Sequence, residues 1–319
     1  MISRKPPVSI GLPVYNGERF LEQALDSLLA QTYADFELII SDNASTDGTE
    51  EICRIFAAKD RRIRYYRNPT NVGCNRNFNR VFRLSTADYF KWASADDLCK
   101  PEHLARCLEV LDNDDSVVLA YPITRFIDET GKILDIDDPG WDLRSQAADE
   151  RFFYVIRAGH WVNPHYGLIR ADALSKTRLM PSYPGGDYRL LAELSLRGKF
   201  VEVPEYLFFR RVHPGASSQN TTKIAWTMGF HTGDSCVVCF PFWHLSFDHL
   251  VTIIKSKLSL RHKVSLFGSI LRGMWWKHRS LLHELKIGFR SYRNRLKPQE
   301  SAKKVGIKAN QAQGKTDAK

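Results

Sequence analysis

The sequence lacks any run of about 18 or more uncharged apolar residues, the length that a membrane-spanning helix requires. The nearest approach, residues 236–254, is interrupted by His244, Asp248 and His249. Only a short polar stretch precedes the first apolar segment, which begins at Val8, so we expect no secretory signal peptide. The expected location is the cytoplasm. A peripheral position on the inner face of the cytoplasmic membrane is the alternative within that prediction.

Several sequence motifs for phosphate binding and catalysis are also missing. There is no GxxxxGK[ST] or GxGxxG loop, so P-loop and dinucleotide-binding proteins lose their main support. There is no GxSxG motif of the α/β-hydrolases. The six cysteines have no framework spacing, and the lone CxxC at Cys236 and Cys239 is interpreted as plain reduced thiols.

Negative charge is scarce in one part of the chain only. Residues 250–319 carry 17 Lys and Arg against 3 Asp and Glu, whereas residues 1–249 carry 29 against 33. A uniformly basic nucleic-acid-binding protein would not divide its charge in this way. We therefore expect no nucleic-acid partner, and a mildly acidic functional half followed by a strongly basic tail.

The first part of the chain alternates between strand and helix patterns. Apolar runs predict strands at residues 8–14, 36–40, 63–66, 89–92 and 117–121, separated by helices at 18–30, 50–58, 75–84 and 101–111. Thr46 or Thr49 is the expected cap of the second helix. This alternation is typical of an α/β protein with a mostly parallel central sheet flanked by helices.

Later segments are less regular. Strands are expected near residues 166–169, 200–203 and 206–212, with a helix at 187–196. We predict a first domain over residues 1–220, a basic amphipathic helical extension over 221–296 and a disordered basic tail over 297–319. Trp275 and Trp276 among Lys and Arg residues suit an anionic membrane surface, and packing on protein is the alternative.

Carboxylates follow two of the predicted strands. Asp42 follows the strand at 36–40, and Asp96 with Asp97 follows the strand at 89–92. The carboxyl ends of parallel strands face the crevice where α/β sheets bind ligands, which favours a ligand role over an Asx turn at Asp42 or a helix-dipole role for the pair. An acidic pair in that position can hold Mg²⁺ or Mn²⁺, which in turn holds a diphosphate.

Four segments together carry a family resemblance. They are Pro13-Val14-Tyr15-Asn16, Ser41-Asp42-Asn43-Ala44-Ser45-Thr46-Asp47-Gly48-Thr49, Asn71-Val72-Gly73 and Ala95-Asp96-Asp97. In order and spacing they resemble the family 2 glycosyltransferases. The resemblance is specific over residues 7 to about 115 and looser to about 220. It implies a GT-A fold and an inverting, metal-dependent transferase that uses a nucleotide-sugar donor.

The resemblance also implies roles for individual residues. Pro13, Tyr15, Asn16 and Asn71 would line the donor pocket, and Asp42 would contact the nucleobase. Asp96 would bind the ribose or sugar, and Asp97, the last acid of a DXD-like motif, would bind the metal. Ser94 departs from the family pattern, which often has an acid there, so the sugar contact at that position is open.

The resemblance also implies a general base at the head of a later helix. Direct displacement with inversion needs a carboxylate that takes the acceptor hydroxyl's proton. Asp187 fits that position, with Glu193 and Asp142 as alternatives, although an N-cap aspartate would look the same. In the following loop, Arg211 would bind the donor, and His213 would bind the metal or a phosphate unless it is an ordinary loop residue.

The expected function is therefore that of a hexosyltransferase. It would move a sugar from a nucleoside-diphosphate donor, with a family preference for UDP, to a glycan or lipid-linked acceptor in cell-surface polysaccharide or glycolipid synthesis. A sugar nucleotidyltransferase is disfavoured because residues 11–17 contain no Lys or Arg for a triphosphate. The remaining alternative is a catalytically inactive GT-A-like scaffold that its basic tail recruits to membrane. Weaker candidates for acceptor binding are Trp161, His165, Arg170 and Tyr183.

Overall fold

The structure, a computed structural model, describes residues 5–141, 143–158, 161–216 and 240–296, with side chains to residue 289. The strands are β1 (Val8–Val14), β2 (Phe36–Asp42), β3 (Ile63–Arg67), β4 (Tyr89–Trp92), β5 (Leu98–Cys99), β6 (Val117–Ile127), β7 (Ile133–Leu134), β8 (Leu168–Arg170) and β9 (Lys199–Arg211). The helices are α1 (Glu18–Leu29), α2 (Thr49–Lys59), α3 (Cys74–Leu84), α4 (His103–Asn113), α5 (Ala148–Arg157), α6 (Ala171–Ser175), α7 (Gly186–Ser195), α8 (Pro241–Lys255), α9 (Leu260–Trp276) and α10 (His278–Leu296). A 3-10 helix covers Asn163–Tyr166.

All nine strands form one sheet. Its order is β3-β2-β1-β4-β8-β6-β9-β5, and β7 pairs with β6. The β3-β2-β1-β4 segment is parallel, β8 runs antiparallel to both of its neighbours, and β6 and β9 are parallel. Every residue of β1 and β2 is buried, as expected for strands covered by helices on both faces. The predicted α/β architecture with a mostly parallel sheet is confirmed.

Register brings the ends of the parallel strands to one edge. Val14 of β1 lies opposite Asp42 of β2, and Gly11 lies opposite Trp92 at the end of β4. A Cβ atom added at Gly11 would lie 2.7 Å from a methyl carbon of Val81, so this glycine lets α3 approach the sheet closely. The loops after β1, β2 and β4 therefore leave the sheet side by side.

Some predicted elements differ in extent. The two strands expected at 200–203 and 206–212 are one strand, β9, because irregularities in its pairing with β6 absorb the break in the alternating pattern. Residues 163–166 form the 3-10 helix, and β8 begins only at Leu168. The predicted threonine cap of α2 is wrong: Gly48 occupies the N-cap position, and the Thr49 hydroxyl accepts a hydrogen bond from the Gly17 amide at 2.9 Å.

The C-terminal helices share a core with the rest of the chain. α8 packs on α7, and α9 packs on α8 and α5. Ile253, Leu266 and Ile270 belong to the same buried cluster as Leu190 and Phe152. No helix among the described residues is long and apolar enough to cross a membrane. The predicted boundary near residue 220, the CxxC pair and the predicted tail at 297–319 lie outside the described residues.

Candidate functional site

The loops that follow β1 and β2 are joined by hydrogen bonds. The amide of Asn16 donates to the Ser45 hydroxyl at 2.9 Å, and the Asn16 side-chain oxygen accepts from the Thr46 amide at 2.8 Å. Asn16 has φ 51°, a left-handed conformation that asparagine tolerates better than most residues. Next to these residues, Pro13 is buried at the end of β1 and Tyr15 is 49% exposed.

The same β1 loop also touches the loop that carries the acidic pair. A Cβ atom added at Gly17 would lie 3.2 Å from the Cβ of Ala95, directly before Asp96. The structure therefore brings Asn16, Asp42 and the Asp96-Asp97 loop to one edge of the sheet, with Asn16 between the other two.

Asp42 is fully buried and has several partners. It accepts hydrogen bonds from the Ser45 amide and the Tyr65 hydroxyl, each at 2.9 Å, and forms an ion pair with Arg67. Burial acts to raise the pKa of this carboxyl, but the hydrogen bonds outweigh it and lower the pKa overall. The Ser45 contact spans three residues, which is the spacing of a helix N-cap bond rather than of an Asx turn. A nucleobase contact at Asp42 stays a prediction.

A group of asparagines holds the next loop, and the sequence interpretation missed most of it. The Asn43 side chain donates to the Asn71 side-chain oxygen at 2.7 Å, and that oxygen also accepts from the Gly73 amide at 3.0 Å. Asn43 in turn accepts from Asn68 at 2.9 Å. Asn71 thus shapes the turn into α3, while its predicted donor contact stays untested. The one feature of the sequence that could have pointed to Asn43 as a site residue is its position directly after Asp42.

Asp97 lies almost entirely inside the protein. Its side chain is 7% exposed, and one of its carboxylate oxygens accepts from the Arg211 amide at 2.8 Å. Burial, and then the neighbouring charge of Asp96, raise the pKa of Asp97 to about 8. A negative charge at this position is therefore poorly compensated by the surrounding protein.

Asp96 has different partners from Asp97. The Ser94 hydroxyl donates to one of its oxygens, and Nε2 of His213 lies 3.0 Å from the other. His213 also contacts the ring of Phe20, with ring centroids 5.0 Å apart. The predicted metal ligand His213 is thus paired with Asp96. Ser94, where the family often has an acid, contacts that same carboxylate.

Two consecutive arginines of β9 point to different surroundings. The Arg211 guanidinium donates to the backbone oxygens of Asp96 at 2.9 Å and Glu129 at 3.0 Å, and to the Gln23 side chain at 2.9 Å. Arg210 instead donates to the Asn163 side chain at 2.6 Å, with its guanidinium 4.9 Å from the centre of the Trp161 ring. Its charge acts to lower the pKa of both Asp97 and Asp187.

The sequence interpretation chose Arg211 for the donor and missed Arg210. Side chains alternate between the faces of a strand, so two consecutive arginines have different surroundings. The alternation alone does not tell which partners each of them has. The donor role of Arg211 stays a prediction, while Arg210 is an additional candidate.

Asp187 is the second residue of α7. Gly185 precedes it with φ 83°, and a Cβ atom added at Gly186 would lie 2.8 Å from Pro181, so two glycines permit this tight entry. The N-cap residue is Gly185 and makes no side-chain cap, so Asp187 is not the N-cap. Burial raises the pKa of Asp187, partly offset by the Tyr188 amide, which donates to it at 2.9 Å, and by Arg210.

Tyr166 connects Asp187 with the acidic pair. Burial raises the pKa of its hydroxyl well above the ordinary range, and the charges of Asp97, Asp96 and Asp187 all add to that effect. The hydroxyl therefore lies within electrostatic reach of all three carboxylates, and the charge of Arg210 reaches this hydroxyl, Asp97 and Asp187. The structure thus gathers one base candidate, one acidic pair and one cation at a single site.

A buried cation lies beneath the acidic pair. Lys91 in β4 is 1% exposed, and its ammonium donates to the backbone oxygen of Tyr166. Its charge acts to lower the pKa of Asp97. The sequence signal for it was a lone lysine inside an otherwise apolar strand, because a buried lysine is uncommon without a specific role.

The remaining candidates lie in different places. Both oxygens of Glu193 accept from Arg178, at 2.6 and 2.8 Å, and Asp142 lies outside the described residues. Arg170 faces Tyr89, at the opposite end of β4 from the acidic pair. His165 is buried and stacks on Trp92, with ring centroids 4.6 Å apart. Burial, with the charges of Lys91 and Arg210, lowers the pKa of His165 to about 3.

A divalent cation at this site would need oxygen or nitrogen ligands from nearby side chains. Within the described residues, no group of three or more His, Cys, Asp or Glu side chains is arranged to hold a metal ion. Asp96, Asp97 and His213 nevertheless offer the oxygen and imidazole ligands that Mg²⁺ and Mn²⁺ accept. The poorly compensated charge of Asp97 favours a cation there. The types of residue at this site are therefore suited to binding Mg²⁺ or Mn²⁺.

The family model described as "Glycosyl transferase family 2" matches residues 9–176, which include the acidic pair and Tyr166. The chain belongs to this family. It is 37% identical over 134 residues to an uncharacterized glycosyltransferase of Rickettsia felis, and 32% identical over 214 residues to chondroitin synthase of Escherichia coli. These matches cover 40% and 66% of the chain, but only 21% and 30% of the two relatives, so the chain spans less than a third of either protein.

Solved structures show the same fold at low sequence identity. S. aureus TarS, residues 1–349, in complex with UDP-GlcNAc, matches 84% of the chain and 72% of its own with a TM-score of 0.63 and 15% identity. A mannosyltransferase from Pyrobaculum calidifontis, in complex with GDP-Man and Mn²⁺, matches 93% of the chain and 89% of its own with a TM-score of 0.52 and 14% identity. The predicted GT-A fold is confirmed.

Proposed function

We propose that the chain is an inverting hexosyltransferase that uses a nucleoside-diphosphate sugar. The main support is that Asp96, Asp97 and Asp187, which belong to separate parts of the sequence, all lie within electrostatic reach of the Tyr166 hydroxyl. An inverting displacement needs a charged anchor for the leaving diphosphate on one side and a base on the other. This site offers both kinds of group.

In this proposal the acids divide the work. Asp97 and His213, with Asp96 beside them, would hold Mg²⁺ or Mn²⁺, and the bound cation would neutralise the leaving diphosphate. Arg210 carries a further positive charge to the same place. Asp96 would contact the ribose or sugar, while Pro13, Tyr15, Asn16, Asp42 and Asn71 form the wall of the donor pocket.

Asp187 would take the proton from the acceptor hydroxyl. Its burial raises its pKa, which brings a carboxylate closer to the operating pH and makes it a better base. Proton transfer would occur as the bond from the anomeric carbon to the diphosphate breaks and the bond to the acceptor oxygen forms. During that step Arg210 would stabilise the negative charge of the neighbouring carboxylates, and Tyr166 would lie between Asp187 and the acidic pair.

The donor and acceptor are proposed by class. UDP-sugars are favoured because TarS was solved with UDP-GlcNAc, and GDP-sugars are the comparison since the mannosyltransferase was solved with GDP-Man. Similarity to chondroitin synthase over 66% of the chain supports a growing glycan as acceptor. A lipid-linked acceptor at an anionic membrane surface, with the protein peripheral to it, is the other form of this proposal.

A thermal-shift screen followed by a turnover assay tests the proposal. The full chain is mixed with UDP, GDP, UDP-sugars and GDP-sugars, with and without Mn²⁺. Release of the nucleoside diphosphate is then measured for each donor that binds. We expect one nucleotide to raise the melting temperature by several degrees only when Mn²⁺ is present.

The matched variants are Asp97→Asn and Asp172→Asn, an exposed carboxylate elsewhere in the chain. Asp97→Asn should lose the Mn²⁺-dependent shift, while Asp172→Asn should keep it. Donor binding with no release of nucleotide under any acceptor condition would instead support the inactive scaffold.

A further inference from the structure

The C-terminal helix α9 has an apolar stripe that faces solvent. Leu260, Val264, Leu271 and Trp275 are 78%, 64%, 56% and 74% exposed. At about 100° per residue, these four side chains fall within a sector of about 60° on the helix. The buried residues Leu266 and Ile270 lie on a different side, toward the protein core. The stripe is therefore additional to the face that holds α9 in the fold.

Basic residues border this stripe on both sides. On the same helical projection, Arg261 and Arg272 lie along one edge of it and Lys263 lies along the other. A helix with an apolar stripe between rows of Lys or Arg is suited to lying flat at a lipid headgroup boundary, with its aliphatic and aromatic side chains inserted shallowly.

The next helix repeats the arrangement. Leu282 and Phe289 of α10 are 52% and 72% exposed and are seven residues apart, which places them on one side of the helix. Arg279 and Lys286 lie beside them on the same projection. Two consecutive helices thus present the same combination of exposed apolar and basic side chains.

Charge distinguishes the partner that this surface fits. Residues 260–289 contain six Lys and Arg residues and a single acid, Glu284, which is buried. A second copy of the same surface would bring like charges together, which opposes self-association. An anionic lipid surface instead attracts each basic residue that approaches it and accepts the apolar stripe.

We propose that this surface, the basic face, docks on the surface of an anionic lipid bilayer. The basic face consists of Leu260, Val264, Leu271, Trp275, Leu282 and Phe289 with the Lys and Arg residues beside them. This docking proposal deepens the proposed function by placing the enzyme at a membrane. It rests on the proposed function only for the idea that the acceptor is membrane-linked. Binding to lipid itself does not require catalysis.

Vesicle flotation of the full chain tests the proposal. The probes are phosphatidylcholine vesicles and vesicles with 30% phosphatidylglycerol, at low and at physiological salt. We expect at least tenfold tighter binding to the anionic vesicles, weakened by salt because exposed charges are screened. Equal binding to both lipid compositions, or binding to neither, would overturn it.

Two classes of variant separate the apolar and basic contributions. Leu271→Ser with Trp275→Ser should lower the affinity for anionic vesicles at least tenfold, and Arg261→Glu with Arg272→Glu, at two exposed positions, should abolish the preference for anionic lipid. The matched control is Ile55→Ser, which removes an apolar side chain that is 44% exposed on α2, outside the basic face. Unchanged vesicle binding in both double variants would contradict the assignment.

Other outcomes remain distinguishable. A mass that doubles with concentration, and falls back in the Leu271→Ser and Trp275→Ser variant, would identify a second copy as the partner and refute lipid docking. Donor hydrolysis without acceptor is measured in parallel, and the basic-face variants should retain it. Vesicle binding without release of nucleotide from any donor, with or without acceptor, would refute the proposed function and leave the docking surface standing.

Discussion

Buried carboxylates occur in two regions of this protein, and their surroundings differ. At the edge of the sheet, burial raises the pKa of Asp97 and of Asp187. Between α7 and α8, Glu193 and Asp248 are buried or partly buried too, but Arg178 bonds to both, at 2.6 and 2.8 Å. The first pair has charge that the protein leaves poorly compensated, and the second pair is balanced by fixed partners.

This difference indicates two uses for the same side chain. Removing one member of a buried ion pair leaves the other charge uncompensated, so such pairs chiefly affect stability. A carboxylate without a fixed counter-charge costs stability in the free protein, yet it keeps an oxygen available for a cation or a proton. Substitutions in the two regions should therefore have opposite signatures.

The largest effect is expected for Asp97→Asn. Transfer should fall at least about 1,000-fold, since the leaving diphosphate loses its anchored cation. The metal-free variant should be more stable than the wild type at pH 8. The folded-state pKa of about 8 exceeds the ordinary carboxyl pKa of 3.8, so the cost of the charge grows as pH rises between those values and is absent in acid.

Activity assays and thermal melts of metal-free protein at pH 5 and pH 8 check both parts. If the variant melts at a lower temperature than the wild type at pH 8, the charge of Asp97 is better compensated than we infer.

Asp187→Asn should lower turnover without lowering stability. A general base contributes about 10²- to 10⁴-fold, so kcat should fall by that factor while donor binding stays close to wild type and the melting temperature does not fall. Donor affinity by calorimetry and single-turnover rates separate the two. The control is Asp112→Asn, a carboxylate that bonds to the Tyr89 hydroxyl at the far end of β4. A near-normal rate in Asp187→Asn would remove it as the base.

Asp248→Asn should show the reverse pattern. Its carboxylate accepts from Arg178 at 2.8 Å and from the Tyr183 hydroxyl, so neutralising it leaves Arg178 without one of its partners. Because Asp248 is partly exposed, we expect a loss of about 2 kcal/mol in the free energy of unfolding, below the usual cost in a fully buried pair. Urea denaturation measures it, and kcat should change less than about threefold. A large fall in kcat with unchanged stability would erase the contrast between the two regions.

The smallest effect concerns His249 of α8. Burial lowers its pKa to about 4, and neighbouring charges of Asp248, Arg189 and Arg178 modify that value. Since the folded pKa lies below the unfolded one, stability is complete above about pH 6.5 and is lost as pH falls toward 4. At about 1.4 kcal/mol per pKa unit, the loss near pH 5 should be about 1 to 2 kcal/mol. His249→Gln should reduce that slope in denaturation experiments from pH 7 to 5, whereas His262→Gln, at an exposed histidine, should not.

The sequence predicted the first half of the fold well because its signals are local. Each predicted strand from 8–14 to 89–92 matches an observed strand within two residues, and the acids at strand ends lie where parallel topology requires. Arg210, Lys91 and Tyr166 were missed as site residues. Their surroundings depend on how β9 and β8 join the sheet, and on bulges in the β6–β9 pairing, which no local pattern reveals.

The C-terminal part was predicted in composition but not in arrangement. The sequence predicted a basic amphipathic helical extension over residues 221–296, and the described part of that range contains three helices from Pro241 to Leu296. The apolar residues of these helices fall into two groups, because some pack on the core and others face solvent. Periodicity gives the side of a helix, and only tertiary contacts tell which side is covered.

The thirteen residues of β9 have a consequence for how the protein matures. This strand supplies the amide that holds Asp97 and, in Arg210, a charge that acts on Asp187, and it enters the sheet more than 100 residues after the acidic pair. A nascent or proteolysed chain that stops before Lys199 would contain the whole family-matched segment and still lack these contacts. We therefore expect the proposed site to form only after β9 has been synthesised.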